Sequence, residues 1–128
     1  MKEQEKREVI EQYISAYNAL DIDGMMSLLH DDIEFKNISD GEVDSDVTGK
    51  SKFRAMAEES RTFFKLRKQT INSFDISDDQ ASVEISYEGI LATDLPNGMK
   101  SGETIRLDGR SEFLFKEGKI CQITAIST

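Results

Sequence analysis

The sequence predicts an α+β protein: a cone-shaped roll with three N-terminal helices packed on the concave face of a strongly curved antiparallel sheet. Apolar residues recur at helical spacing through the first half of the chain, and they alternate with period two through the second. Glycines stand inside two of the strand patterns, where they mark bulges or tight bends. Helices first and hairpin-connected strands afterwards is the order in which helices gather on one face of an antiparallel sheet.

Val9, Ile10, Tyr13, Ala16, Tyr17 and Leu20 share one face of a first helix near residues 3–20, with Lys and Glu opposite. Asn18 to Gly24 forms an acidic elbow, in which Asp21 or Asp23 can cap the next helix and complement its positive end. That helix, near residues 23–30, ends at His30, because Asp31-Asp32 breaks it, and Ile33 to Asn37 then alternates as a strand. Ser39 to Gly49, rich in Gly, Asp and Ser, reads as a loop. Phe53, Met56, Ala57, Phe63 and Phe64 mark a third helix near residues 50–64.

From about Leu66 the period is two, and Phe74 and Ile76 precede a turn at Ser77 to Gln80. Val83, Ile85, Tyr87, Gly89 and Leu91 then face one way. After a turn at Leu95 to Gly98, Ile105, Leu107, Gly109, Ser111, Phe113 and Phe115 do the same. A turn at Lys116 to Lys119 leads into a last strand, Ile120 to Ser127. Gly89 and Gly109 imply a curled sheet, and the mouth of the resulting cone is a natural small-molecule pocket.

The chain has 128 residues, which predicts a single domain over residues 1–128. It carries 16 Lys and Arg against 25 Asp and Glu, a net charge of −9, with the cations dispersed among the acids. Nucleic acid and anionic membranes are therefore excluded as partners. The N-terminal MKEQEKRE lacks the apolar core of a secretion signal, and no apolar run approaches the ~20 residues that span a bilayer, so a cytoplasmic protein is expected. Cys121 is alone, precluding an internal disulfide, and its place in the closing strand predicts a buried, inert thiol. One His and one Cys make no zinc set. Asp40, Glu42, Asp44 and Asp46 lack the glycine and distal glutamate of a calcium loop, and neither a phosphate loop nor a nucleophile elbow is present. No metal and no cofactor are expected.

Tyr17-Asn18-Ala19-Leu20-Asp21-Ile22-Asp23-Gly24 followed by Leu28-Leu29-His30-Asp31-Asp32-Ile33-Glu34-Phe35 resembles the helix–elbow–helix–strand opening of the nuclear transport factor 2-like superfamily, which includes the ketosteroid isomerases and SnoaL-like polyketide cyclases. Gly49 before the third helix and Phe113-Leu114-Phe115 before the terminal hairpin are similar as well. The resemblance implies the cone-like α+β fold, a homodimer and widely varied functions. It also places Tyr13 where a ketosteroid isomerase holds its oxyanion tyrosine. The position of that enzyme's Asp base falls on Asn37, and the position of its second donor falls on Ser111. An amide is no base at neutral pH, so steroid-type isomerisation is rejected.

What remains is a polar set of Tyr13, Asn37 and Ser111, with Tyr17 beside Tyr13 and with Phe35, Phe53, Phe113 and Ile123 as apolar walls. Such a set can grip a carbonyl or hydroxyl oxygen of a small apolar molecule. Tyr13, Asn37 and Asp40 are the candidate catalytic residues. Asp40 would be a replacement base, in a loop able to fold over the mouth. Each has a plainer reading: core packing for Tyr13 and Tyr17, anchoring of the loop for Asn37, a solvated acid for Asp40. Three functions fit: a SnoaL-like isomerase, cyclase or hydratase acting on a carbonyl-bearing substrate, a non-catalytic ligand carrier, or a dimeric interaction module. Ile90, Leu114 and Ile126, standing among charges on the sheet's outer face, predict where the homodimer would form.

Overall fold

The computed structural model describes residues 1–127, in the order α1 (Glu3–Asn18), α2 (Ile22–Met26), β1 (Leu29–Ser39), β2 (Glu42–Thr48), α3 (Lys50–Thr62), β3 (Phe64–Ile76), β4 (Gln80–Leu91), β5 (Thr104–Lys116) and β6 (Lys119–Ser127). One six-stranded sheet runs β2-β1-β6-β5-β4-β3. Its concave side is covered by the helices through one core, in which Ile10, Tyr13 and Ile14 of α1 and Phe53 and Ala57 of α3 meet Ile33, Val83, Ile85, Phe113 and Ile123 of the sheet. No helix among the described residues is long and apolar enough to cross a membrane.

Every strand pair is antiparallel except β1–β6, which is parallel. Apart from that one parallel join, the curved sheet is antiparallel, as the sequence predicts. β2 occupies one edge of β1, so the returning β6 takes the other edge, and the β3–β5 meander delivers it in the same direction as β1.

Three expectations of local structure are corrected. The acidic segment from Ser39 to Gly49 is not a loop, because most of it is β2. Asp40 and Gly41, at φ 52° and 81°, make a two-residue turn between the paired Ser39 and Glu42. Positive φ at both central residues is the hairpin turn that Asp-Gly favours, since its twist matches that of the flanking strands. The second helix also stops early, at Met26. Leu29 already pairs with Ile120, and the Ile120 N–H donates to Leu28 O at 3.0 Å, so ladder bonds end the short helix at Met26 and carry the chain into the sheet. His30 therefore lies on a strand, its Nε2 3.2 Å from Glu117 Oε1. Cys121, expected to be buried, is half-exposed on β6, and desolvation still raises its thiol pKa.

Curvature has local causes. β3 carries bulges between Phe64 and Leu66 and between Ile71 and Ser73, each adding an unpaired residue that bends the strand. At Gly109 a Cβ would stand 2.4 Å from the carbonyl oxygen of Ile126, so only glycine lets β5 and β6 approach as they do.

The elbow is a helix stop followed by a helix start. Leu20 takes φ 59°, its N–H donates to Tyr17 O at 3.1 Å, and the Asp21 N–H donates to Ala16 O at 2.9 Å, the paired bonds of a Schellman motif. Asp21 then caps α2 by accepting from Gly24 N–H at 3.0 Å. A Cβ on residue 24 would lie 2.4 Å from Asp21 Oδ2, so glycine at 24 is a condition of the cap. Asp21→Ala should cost about 1 kcal/mol of stability. Gly24→Ala should also destabilise, despite the helix preference of alanine, because it displaces the capping carboxylate. In the Asp21→Ala background its cost should shrink, which a denaturant double-mutant cycle reads directly.

Candidate functional site

A cavity of about 560 Å³ lies between α1, α3 and the concave face of the sheet. Its walls follow from strand parity. Phe35 and Asn37 project from one face of β1, Ser111 and Phe113 from one face of β5, and Ile123 from β6, while Phe53 enters from α3. Phe53, Phe113 and Ile123 are buried, and Phe35 meets the Phe53 ring edge-to-face with centroids 5.8 Å apart. Leu107, 42% exposed, belongs to the open end of the cavity.

Tyr13 is 5% exposed, and its ring packs edge-to-face on Phe113. Its hydroxyl makes no side-chain hydrogen bond among the described residues and borders the cavity. Burial raises the pKa of this phenol, with the neighbouring Tyr17 adding to the rise and Arg67 opposing it, so the group is a neutral O–H donor. Tyr17, one turn on, donates to Tyr87 Oη at 3.2 Å. Tyr87 is likewise held neutral, chiefly by burial and then by Tyr17.

Asn37 is half-buried on the cavity wall, and its Nδ2 donates to Asp44 Oδ1 at 2.7 Å and to Ser39 Oγ at 3.3 Å. A carboxylate can only accept, which fixes the amide orientation and leaves Asn37 Oδ1 as the free acceptor. Asn37 thus anchors the hairpin and lines the cavity at once. Asp40 is not brought to the site. It is exposed at the tip of the β1–β2 turn, away from the cavity lining. The carboxylate beside Asn37 is instead Asp44, placed there by the bulge that inserts it between the pairs Asn37–Ser45 and Ile38–Val43. Treating Asp40-Gly41 as a hairpin turn would have found it, since counting back from the turn sets residue 44 opposite residue 37.

Arg67 is the residue that strand periodicity misses. Phe64, Leu66 and Lys68 would share a face in a regular strand, sending Arg67 outward. The bulge after Phe64 inverts this, leaving Leu66 57% exposed and Arg67 2% exposed against the cavity. Its Nε donates to Tyr17 O at 3.0 Å, and its guanidinium carbon stands 3.6 Å from the centre of the Tyr17 ring. The buried Nη2 has no partner. Beside it, the Asn18 side chain accepts from the Gln69 N–H at 2.7 Å and donates to Gln69 O at 3.1 Å.

The sequence profile of the SnoaL-like domain matches residues 10–123 of the chain. Among solved structures, AclR of Streptomyces galilaeus, described as a candidate hydroxylase, is similar with a TM-score of 0.79 at 15% identity, covering 99% of this chain and 91% of its own. A candidate polyketide cyclase from Silicibacter is similar with a TM-score of 0.77 at 22% identity, covering 98% and 90%. TerC, co-crystallised with polyporic acid, has a TM-score of 0.77 at 20% identity, covering 97% and 92%. No curated protein sequence matches the chain.

The two desolvated phenols, Tyr13 and Tyr87, have a measurable consequence. Unfolding would release Tyr13 and Tyr87 to the ordinary phenol value near 10, below their folded values. Their contribution to stability is therefore complete below about pH 10 and declines as the pH rises above it, because the unfolded state ionises first. Urea unfolding at successive pH values should show this loss, and phenolate absorbance from the folded protein should stay below that of three free tyrosines.

Proposed function

The chain belongs to the SnoaL-like domain family, and from that footing we propose that its cone receives a mostly apolar small molecule bearing a carbonyl or hydroxyl group and catalyses an isomerase-, cyclase- or hydratase-type step on it. The observation that carries this reading is Tyr13, a neutral phenol 5% exposed on the wall of a mostly apolar cavity, whose hydroxyl makes no side-chain hydrogen bond among the described residues and stays open to that cavity. A hydroxyl open to the cavity is free to donate to a ligand oxygen, a bond worth about 1 kcal/mol. Asn37 Oδ1 offers an acceptor and Ser111 a hydroxyl on the same lining, so a substrate enol or hydroxyl could be held from both sides. The family resemblance to a candidate polyketide cyclase and to a protein co-crystallised with polyporic acid favours ring-bearing oxygenated substrates.

Neutral donors suit this chemistry. They stabilise negative charge developing on a carbonyl oxygen without burying a permanent charge of their own in the ground state. Ligand carriage without turnover is the second reading, favoured by the amide at position 37, which cannot accept a proton at neutral pH.

Tyr13→Phe separates the readings. Folding stability should change little, since the hydroxyl makes no side-chain hydrogen bond within the protein. Binding of naphthol, a neutral apolar alcohol, should weaken by about 1 kcal/mol for one lost hydrogen bond. Against a turned-over substrate the rate should fall by about 100-fold or more, as for an oxyanion donor. Marked destabilisation together with unchanged naphthol affinity would refute the role of the hydroxyl.

We extend the proposal to a homodimer formed through the outer face, where the paired Leu66 and Ile90, with Leu114 and Ile126, stand among charged residues. Light scattering at micromolar concentration should give twice the 14.5 kDa chain mass. A monomer would remove this part.

A further inference from the structure

Arg67 is more than the cavity's fastening. A guanidinium taken out of water is costly unless charge or hydrogen bonds compensate, and here compensation is incomplete. One of its N–H groups is used on Tyr17 O, and its face rests on the Tyr17 ring; neither carries a charge. The buried Nη2 has nothing. The chain holds 25 Asp and Glu, yet among the described residues none forms an ion pair with Arg67. Arg110, which also borders the cavity, is half-exposed and pairs with Glu112 at 3.9 Å. The acids that border the cavity, Glu59 and Asp108, are exposed and neither pairs with Arg67, so a single buried cation is left without an ion pair on the wall of a mostly apolar cavity in a protein whose overall charge is −9.

We infer that the molecule bound in this cavity is an organic acid in its anionic form, with the acidic oxygens seated on the Arg67 guanidinium and the apolar body against the aromatic walls. This rests on the small-molecule reading above and narrows its substrate class. A planar fork of donors is matched by a carboxylate, or by the delocalised oxygens of an enolised dicarbonyl, better than by a neutral ketone or alcohol. Tyr17 fixes the guanidinium by stacking and by its carbonyl, so the fork is preorganised and little side-chain freedom is lost on binding. The negative protein surface makes non-specific attraction of anions weak, so any preference for an anion must originate locally.

The test uses a matched pair of fluorescent probes: anilinonaphthalene sulfonate and its uncharged parent, phenylnaphthylamine. The folded wild-type protein should bind the sulfonate about ten-fold more tightly or better, as a charge-assisted contact in a dry site allows. Arg67→Met should abolish the preference while leaving affinity for the neutral probe within about two-fold, and Arg67→Lys should restore part of it. Loss of the Tyr17 bond in Arg67→Met would lower thermal stability. Should that variant not fold, the wild-type ratio and the Arg67→Lys ratio still decide. Equal binding of the two probes by the wild type, or an undiminished preference in folded Arg67→Met, overturns the inference and spares the pocket. Failure of both probes to bind overturns the small-molecule reading as well.

Discussion

The cone depends on a join between the C-terminal end of α1 and the edge strand β3. Asn18 makes two hydrogen bonds to the backbone of Gln69, as a neighbouring strand would, and Arg67 donates to the carbonyl of Tyr17. Helix ends present unsatisfied carbonyls and partial negative charge, and strand edges present unsatisfied amides, so each element supplies what the other lacks. The join holds Tyr13 and Tyr17 over the sheet and so sets the distance that leaves a cavity between them. At the opposite end of α1, the buried Lys6 donates to the carbonyls of Ser77 and Asp78 in the β3–β4 turn, which gives the helix a second point of attachment along the same strand.

Two kinds of polarity line the cavity. Tyr13, Asn37 and Ser111 are neutral hydrogen-bonding groups, and their burial is affordable once a partner is present. Arg67 is a permanent charge whose burial is tolerated because stacking and one hydrogen bond offset part of its desolvation. Neutral donors hold a neutral oxygen and bind it more strongly as negative charge develops on it, whereas a buried cation discriminates from the outset between a neutral molecule and its conjugate base. The same wall can therefore be adapted to shape by its aromatic residues and to ionisation state by one side chain.

Much of this arrangement was legible in the residues. The inward set of β4 and β5, the partnership of Phe35 with Asn37 and the placement of Tyr13 all follow from period and parity, because those strands pair regularly over the relevant stretch. What escaped are the positions where an extra residue resets parity. Lys65 is consumed by a bulge and Leu66 is turned out, so the most apolar residue of that segment faces away while its arginine faces in. Asp44 is such a residue too, and its acidic neighbours masked a strand that the Asp40-Gly41 turn announces. The shortness of α2 was hidden because its end is decided by the distant Ile120, not by local propensity.

The sheet is open, and an open sheet has two edges able to recruit another chain. On β2 the edge alternates Glu42, Asp44 and Asp46, so a second copy approaching edge to edge would bring like charges together. On β3 the two bulges interrupt the straight run of free amides, Asn18 already occupies the pairing groups of Gln69, and Lys65 and Lys68 keep the segment solvated. The devices that curve the strand and aim Arg67 inward thereby also keep the ladder finite, so that a sheet carrying thirteen-residue strands can stay at six strands instead of serving as a template for fibrous growth.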